Sequence, residues 1–255
     1  MNDTTDITDS IDTNDNDEKR IALVTGANKG IGYEIAAGLS RLGFRVGVGA
    51  RDDVRREQAV DKLLADGHDV FGVPLDVTSD ASVAAAAALI EEQGGLDVLV
   101  NNAGITGGMP QEPSRVTAEQ VLGVVDVNVL GVIRVTNAML PMLRRSAAPR
   151  IVNVSSTVGS LGLQTAQDEP VGPISGAYSP TKTYLNALTV QYAKELAGTG
   201  VLVNAGCPGY VATDLNGHRG FRTPEQGAAI FLELATLPDG GPTGTFRDET
   251  GIQPW

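Results

Sequence analysis

The sequence predicts an α/β protein with one doubly wound parallel β-sheet that is flanked by helices. From residue 21 onwards, short β-branched runs alternate with helical stretches of ten or more residues, which is typical of βαβ units. A glycine-rich turn joins the first run to the first helical stretch, a common feature of open parallel sheets. Because no linker interrupts the pattern, we expect a single domain over residues 20–255 with about seven strands.

The elements follow from these runs in chain order. Six strands are predicted from the β-branched runs, at residues 21–24, 46–48, 70–73, 98–100, 151–154 and 201–204. The helical stretches lie at residues 31–42, 53–65, 81–92, 118–145, 178–197 and 224–235, and a Gly- and Pro-rich end follows the last of them.

The first 19 residues are expected to form a disordered acidic tail. Residues 1–17 consist mainly of Asp, Thr and Asn, which cannot bury enough apolar surface to offset the entropy lost on ordering. Residues 1–20 contain no apolar stretch of the kind found in secretory signals, so we expect a cytoplasmic protein.

Composition argues against several classes of function. The net charge is −12 and the largest basic clusters are arginine pairs, whereas a protein that binds nucleic acid needs a basic surface. The longest apolar runs, residues 83–90 and 121–125, are far shorter than the ~20 residues of a membrane span. The single cysteine excludes an internal disulfide, and the two histidines are distant in sequence, so no metal site is expected.

The glycine turn after the first strand is a candidate dinucleotide site. It reads T-G-A-N-K-G-I-G over residues 25–32. Gly26 permits a tight turn, and Gly30 and Gly32 let the backbone approach a pyrophosphate at the helix N-terminus, where free N–H groups favour anions. An ordinary Gly-rich turn remains the alternative at this point.

Residues beside this turn indicate which coenzyme would bind. Arg51 follows the second strand, where an acidic residue would bind the ribose 2′-hydroxyl of NAD and an arginine suits the 2′-phosphate of NADP. Lys29 can add a second positive charge, whereas Asp52 favours NAD. Asp76, after the third strand, can accept a hydrogen bond from the adenine amino group, and residues 101–104 can line the same cleft. Solvated surface charges and ordinary turns are the alternatives.

A tyrosine–lysine pair at the start of the fifth helix is a candidate acid/base. Tyr178 and Lys182 are four residues apart and share one helix face. A nearby ammonium stabilises tyrosinate, so it would lower the phenol pKa from ~10 towards neutrality. Ser155 and Ser156 end the fifth strand at the carboxyl edge of the sheet, where α/β proteins bind ligands.

Together these residues resemble the motifs of the short-chain dehydrogenase/reductase family, and the resemblance covers nearly all of residues 20–255. It includes the turn at 25–32, Asp76, the N-N-A-G at 101–104, Asn128, the residues at 156, 178 and 182, and the C-P-G-Y-V-A-T at 207–213. With the A-R-D at 50–52 and the G-P-T-G at 241–244, the chain is similar to the NADPH-dependent carbonyl reductases of that family.

The resemblance implies a Rossmann-type fold and the reduction of an aldehyde or ketone by NADPH. Tyr178 would protonate the carbonyl oxygen, and Lys182 would lower the Tyr178 pKa and bind the nicotinamide ribose. Ser156 rather than Ser155 would bind the substrate oxygen. Asn128 would hold a water molecule that relays protons. The residues implied for cofactor binding are Gly26, Asn28, Lys29, Gly30, Ile31, Gly32, Arg51, Asp76, Val77, Asn102, Ala103, Gly104, Tyr178, Lys182, Pro208, Gly209, Val211 and Thr213.

Two other functions stay open. One is an alcohol dehydrogenase that works oxidatively with NADP. The other is an NADP-sensing regulator without turnover, which predicts a damaged catalytic set, whereas Asn128, Ser156, Tyr178 and Lys182 are all present.

Two segments depart from the family pattern. Residues 161–177 form a longer connection beside the expected substrate mouth, and residues 214–223 are too short for the usual covering helix.

The fifth predicted helix has apolar residues on more than one side. Leu185, Leu188 and Tyr192 lie on one side, and Val190 and Ala197 lie elsewhere on its surface. We therefore expect a homodimer or homotetramer formed through the fourth and fifth helices. The alternative is a monomer in which residues 161–177 cover that surface.

Two further residues are expected to have no role in catalysis. Cys207 is expected to be a small buried residue, and His218 is expected to be a loop residue.

Overall fold

Eight strands form one sheet in the computed structural model, which describes residues 19–166 and 171–255. They are β1 (Ile21–Thr25), β2 (Arg45–Ala50), β3 (Val70–Pro74), β4 (Val98–Asn101), β5 (Arg150–Val154), β6 (Leu202–Gly206), β7 (Phe246–Asp248) and β8 (Gly251–Ile252). Their order is β3-β2-β1-β4-β5-β6-β7-β8, and every neighbouring pair is parallel except β7 with β8. The doubly wound parallel sheet is confirmed. It has eight strands instead of about seven, because the Gly- and Pro-rich end adds a short antiparallel hairpin.

Helices cover both faces of the sheet. They are α1 (Gly30–Arg41), α2 (Asp53–Ala65), α3 (Asp80–Glu92), α4 (Ala118–Val125), α5 (Gly131–Leu143), α6 (Leu161–Gln164), α7 (Tyr178–Glu195) and α8 (Pro224–Ala235). The predicted fourth helix, residues 118–145, is divided: a π-helical turn, Asp126–Leu130, joins α4 to α5. The short helix α6 lies in the long connection before α7 and was not predicted.

Two apolar clusters form the core, one on each face of the sheet. The first packs α1, α2 and α8 against the sheet through side chains such as Ile35, Leu63 and Phe231. The second packs α3, α5 and α7 against the other face through Ile90, Met139 and others. Burial on both faces explains why the central strands are almost continuously apolar.

A row of buried polar side chains crosses the second face just below the carboxyl edge of the sheet. Asn101 and Asn153 are register partners on β4 and β5, and the Asn101 Nδ2 donates to Asn153 Oδ1 at 2.9 Å and to Thr136 Oγ1 at 3.1 Å. The Asn153 Nδ2 in turn donates to Thr189 Oγ1 at 2.9 Å. Because Thr136 lies on α5 and Thr189 on α7, the row fixes both helices relative to the strands that carry the predicted site.

One helical stretch in the described residues, Ala118–Leu143, is long and apolar enough to cross a membrane by length and composition alone. Core helices of soluble proteins pass the same test. Its second half, α5, packs against β4 and α3 and contributes to the core, so it serves here as a core helix.

The tail predicted over residues 1–19 lies outside the described residues except for Lys19, whose Nζ donates to Asp69 Oδ2 at 2.9 Å.

The two departures from the family pattern have different outcomes. Within residues 214–223 the structure has only a 3₁₀ turn, Asp214–Asn216, so the helix expected to be missing is indeed not there. The described parts of the longer connection bind two distant segments: the Gly162 N–H donates to Trp255 O, and the Gly176 N–H donates to Gln111 O.

Candidate active site

The glycine turn between β1 and α1 has the backbone conformation that its sequence predicts. Gly26 and Gly30 have φ values of +63° and +58°, which side-chain-bearing residues rarely adopt. A Cβ on Gly32 would overlap the Asn102 Nδ2 and lie 2.6 Å from Gly26 O. Only glycines therefore permit this close packing.

The segment after β4 is fastened to the glycine turn. The Thr25 Oγ1 accepts the N–H groups of Asn102 and Ala103, both at 2.9 Å. The Asn102 Nδ2 donates to the carbonyls of Thr25 (2.8 Å) and Gly26 (3.1 Å). The structure thus brings the predicted residues 102–104 and the glycine turn together where the strand order reverses between β1 and β4, the position at which open α/β sheets bind ligands.

Helix α1 begins without a side-chain cap, unlike most of the longer helices. Side chains of Asp52, Ser79, Thr117 and Thr223 accept backbone N–H groups at the starts of α2, α3, α4 and α8. Lys29 precedes α1 with no such bond. The first backbone N–H groups of α1 lie next to the glycine turn, and no side chain among the described residues accepts a hydrogen bond from them. The turn therefore fits a dinucleotide pyrophosphate.

A cleft of about 540 Å³ lies beside this turn. Its lining includes Asn28 and three cations, Lys29, Arg55 and Lys62, against two carboxylates. Arg55 was not identified from the sequence, although it lies one helical turn after Arg51. The excess of positive charge suits a phosphate group.

Asp52, which favoured NAD in the sequence, has a structural task instead. Its Oδ1 accepts the Arg55 N–H at 2.9 Å and caps α2.

Arg51 is exposed and contributes to the low pKa of Asp76. The main cause of that low pKa is hydrogen bonding from the Thr78 N–H and hydroxyl to the Asp76 carboxylate, so Asp76 is ionised at neutral pH.

The hydrophobic residues predicted to bind cofactor are mostly packed in the core. Val77 is buried against Gly131, Ile31 packs against the first cluster, and the Val211 side chain is buried. These residues can offer only backbone or part of a side chain to a ligand.

The segment after β6 divides between two locations. The Thr213 methyl would lie 3.5 Å from a Cβ on Gly30, and the Lys29 Nζ binds Asp214 Oδ2 at 2.5 Å. Pro208 and Gly209 instead line a separate cavity of about 220 Å³. The later part of the segment therefore contacts the glycine turn.

Tyr178, Lys182 and Ser156 meet at the carboxyl edge of β5. Lys182 is only 4% exposed, and its Nζ donates to Val154 O at 2.6 Å and lies 5.6 Å from the centre of the Tyr178 ring. Ser156 follows β5 and lies near Tyr178, where its hydroxyl lowers the pKa of the phenol. Ser155 is buried and donates to Asn186 Oδ1 at 2.5 Å, which supports the choice of Ser156.

The lowered pKa predicted for Tyr178 is not what the structure shows. Burial raises the pKa of Tyr178, the nearby Cys207 raises it further, and the Ser156 hydrogen bond offsets only part of the rise. Burial also lowers the pKa of Lys182 to about 8. The sequence argument considered the ammonium charge but not the desolvation of both groups, and here desolvation is the larger effect.

Asn128 lies on the π-helical turn and is 1% exposed. Its Oδ1 accepts the Ile105 N–H, and its Nδ2 donates to Ile105 O and to Thr181 Oγ1, all at 2.9–3.0 Å. The Thr181 hydroxyl donates to Tyr178 O at 2.7 Å. Asn128 therefore connects the segment after β4 to the first turn of α7, while its part in a water relay remains a prediction.

Cys207 and His218 have the environments that were expected. Cys207 is 4% exposed and its Sγ accepts the Thr157 N–H at 3.4 Å. His218 is an exposed loop residue whose Nε2 lies 2.8 Å from Asp214 Oδ1. The described residues contain no group of three or more His, Cys, Asp or Glu side chains placed to hold a metal ion.

Comparison with known proteins agrees with this geometry. The family model described as short chain dehydrogenase matches residues 20–221. Short-chain dehydrogenase/reductase 1 of Saponaria officinalis is 33% identical over 93% of this chain and 97% of its own length, and carbonyl reductase (NADPH) 1 of Mus musculus is 34% identical over 92% and 98%. The solved structure of salutaridine reductase from Papaver somniferum has a TM-score of 0.79 at 32% identity, covering 89% of this chain and 99% of that one. The chain belongs to the short-chain dehydrogenase family.

Proposed function

We propose that this protein is an NADPH-dependent reductase that converts an aldehyde or ketone to an alcohol. The observation that carries the proposal is the cluster of Tyr178, Lys182 and Ser156 beside a glycine turn that fits a dinucleotide. The name of the mouse relative, a carbonyl reductase that uses NADPH, supports the same assignment.

Each side chain of the cluster has a role that its surroundings support. The bound coenzyme supplies the hydride. The Tyr178 hydroxyl donates its proton to the carbonyl oxygen as negative charge develops there, and the Ser156 hydroxyl holds that oxygen by a hydrogen bond. Lys182, with a pKa of about 8, is mostly protonated at pH 7 and supplies positive charge and a donor beside the tyrosine.

The protonation of Tyr178 is compatible with a role as proton donor. Burial raises the pKa of Tyr178, so the phenol carries its proton at neutral pH. An oxidative alcohol dehydrogenase would use the same residue as a base in the reverse step, so our preference for reduction rests on the relatives that are named as reductases.

The charges near the glycine turn favour NADP(H) over NAD(H). Lys29 and Arg55 line the cleft beside the turn, and Arg51 directly follows β2, so all three can approach a 2′-phosphate. The Asp52 carboxylate is occupied as the cap of α2, which removes the main argument for NAD. Asp76 keeps its Oδ2 for the adenine amino group.

A panel of aldehydes, ketones and quinones, followed by loss of NADPH absorbance, tests the proposal. We expect turnover of at least one class with NADPH, and a kcat/KM for NADPH about ten-fold or more above that for NADH. Tight NADPH binding without turnover across the panel would instead favour the NADP-sensing regulator. Turnover only with NADP⁺ and alcohols would favour the oxidative enzyme.

A further inference from the structure

The catalytic helix α7 receives its N-terminal cap from a residue outside it. The residue directly before Tyr178 is Ala177, which has no polar side chain. Ser175 takes this role: its Oγ accepts the Tyr178 N–H at 3.0 Å and the Ser179 N–H at 3.3 Å. The orientation of the first turn of α7 therefore depends on Ser175.

Ser175 is held in turn by Gln111, from the segment after β4. The Ser175 hydroxyl donates to Gln111 Oε1 at 2.7 Å, and the Gly176 N–H donates to Gln111 O at 2.7 Å. Since the single proton of the Ser175 hydroxyl goes to Gln111, the oxygen lone pairs face the N–H groups of α7. The Gln111 amide is itself fixed, because its Nε2 donates to the carbonyls of Thr106 (2.9 Å) and Gly108.

We propose that Gln111 is a positioning residue for proton transfer and acts through Ser175 on Tyr178. The inference rests on the proposed function, in which Tyr178 is the proton donor. Proton transfer requires a donor within hydrogen-bond reach of the substrate oxygen, and a misplacement of ~1 Å can cost about 100-fold in rate. The hydrogen bond between Gln111 and Ser175 joins two residues that are 64 positions apart in the sequence. It thereby holds the start of α7, where Tyr178 is the first residue.

A second amide, Gln120 on α4, holds the same segment and provides a matched control. Gln120 donates its Nε2 to Gly107 O at 2.8 Å and to Pro110 O at 3.1 Å, and Asn128 binds Ile105. The segment is therefore held at several points that do not involve Ser175. Gln111→Met and Gln120→Met remove the same kind of loop contact, but only Gln111→Met removes the link to α7.

The experiment compares Gln111→Met, Ser175→Ala, Ser175→Thr, Gln120→Met and the Gln111→Met/Ser175→Ala double variant. We expect kcat to fall about ten-fold or more in Gln111→Met and Ser175→Ala, with the NADPH Kd and the KM for the carbonyl within about two-fold. Ser175→Thr keeps a hydroxyl and should restore most of the rate. The double variant should lose no more than the worse single variant, because both changes break one chain of contacts.

Hydrogen exchange gives a readout that is independent of turnover. The backbone amides of Tyr178 and Ser179 should exchange about ten-fold faster in Gln111→Met than in Gln120→Met, while those of α3 are unchanged. If Gln111→Met does not fold, the comparison of Ser175→Ala with Ser175→Thr carries the test.

Three results would overturn the proposal: equal kcat in Gln111→Met and Gln120→Met, losses that multiply in the double variant, or no gain from Ser175→Thr over Ser175→Ala. Tyr178→Phe separates this failure from that of the proposed function. If Tyr178→Phe keeps the parent rate, the donor assignment itself is wrong. If it is inactive while Gln111→Met is normal, only the positioning role is wrong.

Discussion

Lys182 affects both the chemistry of the site and the stability of the fold. Burial lowers its pKa to about 8 from an ordinary value of 10.5, so the unfolded chain binds this proton more tightly than the folded one. Below about pH 8 both states are protonated, and the folded state carries the cost of a buried ammonium. Between about pH 8 and 10.5 only the unfolded state is protonated, so this cost disappears as the pH rises.

We therefore predict that Lys182→Met raises Tm at pH 7 while it abolishes carbonyl reduction. Removal of the buried charge outweighs loss of the bond to Val154 O, for a net gain of about 2 kcal/mol in unfolding free energy. The gain should shrink towards pH 10. Thermal melts at both pH values check this, and a lower Tm at pH 7 would show that the charge is well compensated.

Asp214 is predicted to compete with the coenzyme for Lys29. The Lys29 Nζ bonds Asp214 Oδ2, and this hydrogen bond, followed by that from His218, holds the pKa of Asp214 below its ordinary value. If Lys29 binds the 2′-phosphate, Asp214→Asn should tighten NADPH binding about two- to five-fold, the usual strength of an exposed ion pair. Arg51→Ala should weaken it. NADH binding should change in neither variant, and fluorescence titration measures all four constants. Equal effects on both coenzymes would place Lys29 and Arg51 away from the phosphate.

Among single residues, the sequence singled out side chains of unusual chemistry and did not single out those whose proposed role depends on contacts. Tyr178, Lys182 and Ser156 could be proposed because their types and spacing point to acid/base chemistry. Arg55 was missed because nothing in the sequence shows that α2 borders the glycine turn. Gln111 and Ser175 are common residues, 64 apart, and only the folded chain joins them.

At the scale of elements, the glycine turn is a connection whose backbone packs too closely for a side chain. Gly32→Ala places a Cβ against Asn102 and Gly26 O, so we predict a lower Tm and loss of NADPH binding. Gly123→Ala is the matched control, because this helical glycine has open space where a Cβ would lie. The control should keep its binding and gain up to ~1 kcal/mol in stability. Similar melting curves and coenzyme binding for the two variants would contradict the tight packing of the turn.

The pattern of apolar residues located strands β1 to β6 and the outer ends of the six predicted helical stretches to within two residues, although it predicted α4 and α5 as one helix. It could not show the π-helical turn Asp126–Leu130, because five residues within a long helical stretch barely change the pattern. It also missed the hairpin of β7 and β8, whose strands have three and two residues. Such short elements form because of their neighbours: Phe246 is buried and stacks on Trp255 at 5.8 Å.

At the scale of the whole molecule, part of the apolar surface that was predicted to form subunit contacts is buried inside the same chain. Leu185 and Tyr192 are both buried, and Tyr192 belongs to the second core cluster, because α7 packs against β6 of the same chain. The apolar groups of α7 that remain exposed or partly exposed include Tyr184, Leu188 and Val190. This surface is smaller than the sequence suggested.

We still predict a homodimer or homotetramer. The described parts of the longer connection contact Val158, Gln111 and Trp255, which lie outside α4, α5 and α7. A pair of α7 helices across a two-fold axis would bury Tyr184 and its neighbours. Light scattering behind a sizing column at micromolar protein measures the mass. A value near the 26.5 kDa of one chain would contradict the prediction.

The account depends most on Tyr178 as the proton donor to a carbonyl that receives a hydride from NADPH. Tyr178→Phe keeps the ring and removes only the hydroxyl, so fold and coenzyme binding should persist. Single-turnover reduction of the best carbonyl substrate by bound NADPH is the measurement that tests this most directly. We predict a rate ~10²–10⁴ lower than that of the parent at an unchanged NADPH Kd. A rate within a few-fold of the parent would show that another group supplies the proton.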